Sequence, residues 1–110
     1  MQFLLTMKDD GGAEVDAATY TAMGEFIAEL SQAGVLVATG GLDAGARLTT
    51  KGDEFTVTDG PFAETKEAIV SFALVDLPSR EEAVALTRRF HAILGGGEST
   101  MYQVFGPDIA

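Results

Sequence analysis

Cysteine is absent from the 110 residues. That excludes disulfides, thiolate catalysis and any cysteine-ligated metal, and it fits a reducing compartment. Histidine occurs once, at His91, so the usual donors of a transition-metal site are missing too. No loop shows the alternating oxygen ligands of an EF-hand. Positive charge is scarce: 7 Lys and Arg stand against 17 Asp and Glu, for a net charge of -10. Apart from the pair Arg88 and Arg89 the bases are scattered, and such a field repels a nucleic-acid backbone. The acidity is read as a solubility device. Long apolar runs are lacking as well. The opening MQFLLTMKDD has no basic lead and is far too short to span a membrane. The expected location is therefore the cytoplasm, with neither a membrane nor a direct nucleic-acid partner. The glycine cluster GGLDAG has neither nucleotide-fingerprint spacing, and no Lys-Ser or Lys-Thr pair follows it. Ser71 and Ser99 lack the G-x-S-x-G elbow of serine hydrolases. No cofactor is implied.

What is present is ordinary globular material, 46% apolar and 22% charged, at the length of one domain. A single domain over residues 1–110 is expected. QFLLTM at 2–7 sets Phe3, Leu5 and Met7 against Leu4, a short strand apolar on both faces. KDDGGAEV then loops out. Asp16 is placed to cap a first helix over about 16–33. Within it Tyr20, Met23, Ile27 and Leu30 recur at helical spacing with Phe26 beside them, and Gly34 stops it. Val35–Thr39 reads as a second strand, broken by Gly40, Gly41, Asp43 and Gly45. ARLTTKGDEFTV predicts a β-hairpin turning at Lys51-Gly52-Asp53, with Leu48, Phe55 and Val57 as its apolar positions. After TDGPFAETK, the run Ala68–Leu77 predicts a central strand buried on both faces. Ser79-Arg80-Glu81-Glu82 is a capping box for a second helix. Acids lie in its first turn and Arg88 and Arg89 near its end, as the helix dipole favours. Its buried stripe is Ala83, Leu86, Phe90, Ile93 and Leu94; Gly95–Gly97 ends it, and Thr100–Phe105 is the last strand.

The order β-α-β, hairpin, β-α-β matches the split βαβ plan. The expected fold class is α+β, a ferredoxin-like βαββαβ domain with an inserted β-hairpin strand, its antiparallel sheet covered by two helices. Strands 2–7 and 68–77 carry large apolar residues on both faces, so the uncovered face needs a second cover. Another copy of the chain is the simplest one. A homodimer with its sheets face to face is expected.

The stretch Val57-Thr58-Asp59-Gly60-Pro61-Phe62-Ala63-Glu64-Thr65-Lys66-Glu67 resembles the signature of the DGPF proteins, a branch of the YCII-related family. The FLLTM opening, the AGVLV end of the first helix and the REEAVAL second helix agree, so the resemblance covers essentially the whole chain. It implies a dimeric α+β barrel. Some relatives are small-molecule enzymes, lyase-type dehydrochlorinases among them; others accompany extracytoplasmic-function sigma factors. The enzyme-like branch is associated with a first-helix histidine paired with an aspartate. Counting back from Ala33-Gly34-Val35, that position is Met23 here, so the histidine is missing.

Segment 58–66 is the strongest site candidate. Asp59-Gly60 favours a tight turn and Pro61 fixes the backbone after it, which would lift ionisable groups to the sheet rim. On this reading Asp59 is the base, Glu64 a second carboxylate, Phe62 a pocket wall, and Lys66 and Arg47 contacts for an unidentified small-molecule ligand. Met23 would face the cavity if one exists, because the resemblance places a functional residue there. The same residues are also explained as a rigid corner, with Asp59 capping the turn and Phe62 plugging the core. His91 lies about 110° from the middle of the second helix's apolar stripe. With no carboxylate on its face within one turn, it reads as an incidental, partly exposed histidine. Two functions stay open: a small-molecule-binding protein with cofactor-free acid-base chemistry, lyase- or isomerase-like, or a non-catalytic regulatory module that partners a sigma factor.

Overall fold

The computed structural model describes residues 1–8, 16–60 and 69–106. The chain runs β1 (Gln2–Lys8), α1 (Ala17–Gln32), β2 (Leu36–Gly41), β3 (Ala46–Lys51), β4 (Glu54–Asp59), β5 (Ile69–Asp76), α2 (Arg80–Leu94) and β6 (Ser99–Val104). Four strands form one antiparallel sheet in the order β2-β5-β1-β6. This is the α+β, ferredoxin-like arrangement, with β1 and β5 central and both helices on one face. The predicted loop after Lys8 and the residues Pro61, Phe62, Glu64 and Lys66 lie outside the described residues.

Local chemistry explains the helix limits. Asp16 accepts a hydrogen bond from the Thr19 amide at 2.7 Å, which caps α1 and holds the Asp16 carboxyl below its ordinary pKa. Beyond Ala33, Gly34 takes the left-handed conformation that ends the helix (φ 73°). Ser79 caps α2 by accepting from the Glu82 amide, and left-handed Gly95 closes it.

Cross-strand register sorts the sheet into rows, since directly opposed residues share a face. Toward the helices lie Leu36, Val75 and Phe3; then Thr39, Ala73, Leu5 and Met101; then Gly41, Ser71, Met7 and Ser99. The first row is the solid part of the core, Val75 at 0% and Phe3 at 1% exposure, roofed by Leu30, Ala83 and Leu86. The opposite face presents Leu4, Leu74, Phe72, Ala38 and Tyr102, and no described element covers it.

One expectation needs correction. Gly40 and Gly41 do not break β2; they continue it to Gly41. A Cβ on Gly40 would touch the Phe72 ring at 3.4 Å, so the glycine admits the ring of the neighbouring strand rather than ending its own. The inserted hairpin β3–β4 is present and turns at left-handed Gly52 as expected. It forms a separate two-stranded sheet, with every residue from 46 to 59 exposed. The radius of gyration, 16.3 Å, exceeds the roughly 13 Å of a compact chain of this length, as an outlying hairpin requires.

Candidate functional site

The inward-facing residues on β5 drop in size from Val75 to Ala73 and stay small at Ser71, and the core thins with them. Under α1 and α2 this leaves a cavity of about 300 Å³, the small end of ligand-binding volumes and larger than the roughly 150 Å³ that holds benzene. Leu5 and Met7 form part of its floor, Met23, Phe26 and Ile27 its α1 wall, and Phe90 its α2 wall. Phe26 and Phe90 stack across the helix interface, ring centroids 6.5 Å apart and planes 16° from parallel.

An ion pair fixes this roof from outside. Arg89 reaches Glu29 with both terminal nitrogens, at 2.8 and 3.1 Å, while its guanidinium lies 4.8 Å from the Phe26 ring centroid. The hydrogen bond from Arg89 holds the Glu29 carboxyl below its ordinary pKa and raises that of Arg89. Both side chains are more than half exposed, so the pair orients α1 against α2 more than it stabilises the fold.

Polar groups enter the cavity at one end. The Thr39 hydroxyl is committed to the Phe72 carbonyl at 2.8 Å. Ser71 and Ser99 flank Met7 on neighbouring strands. Ser99 Oγ lies 2.8 Å from His91 Nε2 and donates its proton to the Met7 sulfur. Among the described residues the lining holds no acid, base or imidazole.

Of the residues singled out by sequence, the structure brings Met23 to this cavity, half-buried on α1. Asp59 and Arg47 sit on the hairpin, outside the described lining. Asp59 ends β4 opposite Ala46, and Arg47 lies opposite Thr58, so the two project from opposite faces of the hairpin. Phe62, Glu64 and Lys66 lie outside the described residues, although β5 begins at Ile69, two positions before Ser71. Gly60 has a backbone role. Its amide donates to the Gly45 carbonyl at 2.9 Å, and a Cβ there would collide with the Ala44 carbonyl oxygen.

No partner for His91 lies on its own helix face, as expected from the sequence. Its partner comes from β6, eight residues on, and the pair stands half-buried at the cavity's end. A signal was present in the alternate residues Val75, Ala73 and Ser71, which mark a core that cannot fill.

The YCII-related domain model matches residues 1–105. An uncharacterized protein of Rhizobium meliloti (strain 1021) is 47% identical over 45 residues, 41% of this chain and 36% of that protein. The match thus spans about a third of that relative's length. Among solved structures, 5-chloro-2-hydroxyhydroquinone dehydrochlorinase (TftG) from Burkholderia phenoliruptrix AC1100, in complex with 2,5-dihydroxybenzoquinone, is similar with a TM-score of 0.60. The alignment covers 96% of this chain and 94% of that one at 18% identity, a likeness of fold. No described helix is long and apolar enough to cross a membrane.

Proposed function

The chain belongs to the YCII-related family, and from that premise we propose a cytoplasmic, homodimeric protein that binds a small, one-ring organic molecule beneath its two helices. The observation that carries this reading is the apolar cavity of about 300 Å³ between Met23, Phe26 and Phe90. A similar fold holding a dihydroxybenzoquinone supports the size and shape of the ligand. With no ionisable side chain in its described lining, the cavity favours a neutral molecule, because a buried charge would lack a partner. A catalytic extension gives Asp59 and Glu64 the carboxylate roles, with Phe62, Lys66 and Arg47 as contacts. Its support is the turn at Gly60 and the start of β5 beside the cavity's polar end. Binding without turnover, in a regulatory module that partners a sigma factor, is the competing form. Met23 at the position of the family's histidine favours it.

The dimer rests on two bare apolar surfaces. One is the outer sheet face with Leu4, Leu74 and Tyr102. The other is a hairpin face on which Leu48 and Val57 are opposed and Phe55 is their neighbour, each more than half exposed. An isolated two-stranded hairpin is marginal in water, and two copies related by a two-fold axis cover both surfaces at once.

A thermal-shift series of one-ring aromatics tests the binding. A ligand specific for the folded state adds about 2.7 kcal/mol at a hundred times its dissociation constant, and Met23→Arg should abolish the shift. No shift across the series would overturn the binding reading. For the dimer, light scattering should give the mass of two chains at micromolar concentration and of one for Phe55→Glu; a one-chain mass for the unmodified protein removes it. Unchanged turnover in Asp59→Asn, once a substrate is in hand, removes the catalytic extension.

A further inference from the structure

We propose that Ser99 and His91 form the polar anchor of the cavity, which takes a neutral one-ring ligand by a carbonyl-type oxygen that accepts the Ser99 proton. The inference rests on the cavity reading and adds to it the recognising residues and the polarity they select.

The register of the sheet is the starting point. Met7 is opposed by Ser71 on one side and by Ser99 on the other, on the helix-covered face. All three line the cavity, and they are the last inward row at that end of β1. The Ser99 hydroxyl gives its proton to the Met7 sulfur. In the proposed arrangement that proton stays on the sulfur side, and at 2.8 Å the imidazole carries hydrogen on Nε2 and donates to Ser99 Oγ. A directed chain results, imidazole N–H to hydroxyl to thioether, ending against the lining.

Its last acceptor is the weak one. A thioether sulfur accepts poorly, and the methionine chain is flexible enough to swing aside. A ligand oxygen in its place takes the same proton through a stronger bond, and donation from His91 strengthens the hydroxyl as a donor. Room for that shift exists, since nothing but hydrogen stands on Gly97 (φ 134°). A Cβ there would meet the Met7 terminal methyl at 3.4 Å and the His91 ring at 3.8 Å. Of the other two hydroxyls in the lining, that of Thr39 is already satisfied by backbone, while that of Ser71, opposite Met7 on β5, offers a second donor to the same ligand oxygen. The absence of a described cation in the lining sets the preference for a neutral carbonyl over a carboxylate. Ser99 touches the ligand; His91 acts through it as a positioning residue.

Two probes of nearly identical shape isolate the hydrogen bond: acetophenone, which presents a carbonyl oxygen, and α-methylstyrene, which presents a methylene in its place. Titration of the full chain with each should show Ser99→Ala weakening acetophenone about three- to tenfold while α-methylstyrene stays within about twofold. Ser99→Thr should restore the difference. His91→Leu should reduce acetophenone binding in the same selective way, and His91→Gln, which keeps a donor, should rescue it. Melting curves of each variant establish that it folds, and the His91 pair carries the test if Ser99→Ala does not. If α-methylstyrene binds and Ser99→Ala moves both probes equally, or neither, the anchor is wrong and the cavity reading survives. Failure of both probes to bind the unmodified protein removes the cavity reading and the anchor with it.

Discussion

Ala73→Val asks whether the hollow under the helices is real space. Ala73 faces the helices from β5, between Leu5 and Thr39 of the adjacent strands, and lines the cavity. Valine adds two carbons there, worth about 1.6 kcal/mol at roughly 0.8 kcal/mol per buried methylene. Restricting the new side chain removes a few tenths of that, and β-branching suits a strand. The net expectation is a gain of about 1 kcal/mol, which raises the melting temperature by roughly 4–8 °C in a domain of this size. Had the neighbours already filled the space, the same substitution would overpack the core and cost about 1–3 kcal/mol. The two cases differ in sign, so precision is not limiting. Urea unfolding should show a higher midpoint with an unchanged slope, together with weaker binding of any one-ring aromatic. A midpoint lowered by the equivalent of 1 kcal/mol or more would refute the cavity, and the ligand argument would go with it.

Two further outcomes are expected. Gly60→Ala should loosen the base of the hairpin, because its Cβ collides with backbone that cannot rotate away; amide exchange should quicken across 46–59 and stay unchanged in β1 and β5, and equal protection throughout would contradict the clasp. Glu29→Gln should lose a pH-dependent contribution. The Glu29 carboxyl is held below its ordinary 4.5 by Arg89, and a depressed folded pKa stabilises above the unfolded value and is lost as pH falls through the folded one. The advantage of the unmodified protein over the variant should therefore be full at about pH 6 and shrink below about 4.5; a gap that stays constant down to pH 3 would rule the pairing out.

Much of the fold was legible because its punctuation is local. Asp16, Gly34, Ser79 and Gly95 each act within a few residues, and the structure places all four at helix ends. The hairpin turn at Gly52 is local in the same sense. Gly40 was misread because its reason lies on another strand, in the Phe72 ring against it. The hairpin's separation from the main sheet was equally hidden, since alternation fixes a strand's faces but not its neighbours. For the site, Met23 reached the cavity through a resemblance rather than through its helical stripe, which would equally have made it core. Ser99 and His91 were illegible for a stronger reason. Their contact needs α2, the Gly95–Gly97 turn and the register of β6 to be right together.

The same strand that holds the fold together also opens it. On β5, Val75 is fully enclosed and closes the core against Phe3, while four residues away Ser71 leaves room that no neighbouring strand fills. Leu30 of α1, with Ala83 and Leu86 of α2, packs in the cluster around Phe3 and Val75, and Leu30 and Leu86 also bound the hollow. Met23 of α1 and Phe90 of α2 line the hollow as well, and His91 reaches its end through Ser99. The inward rows lie on all four strands, and Val75 and Phe3 stay enclosed four residues from Ser71 and Met7, so loss of contact at the polar end need not unseat the packed end. A ligand can therefore displace the Met7 sulfur without unfolding the sheet. That separation lets one small core serve as both scaffold and site, and it places the Ser99–His91 pair at the one end of the sheet where a hydroxyl proton can change partners.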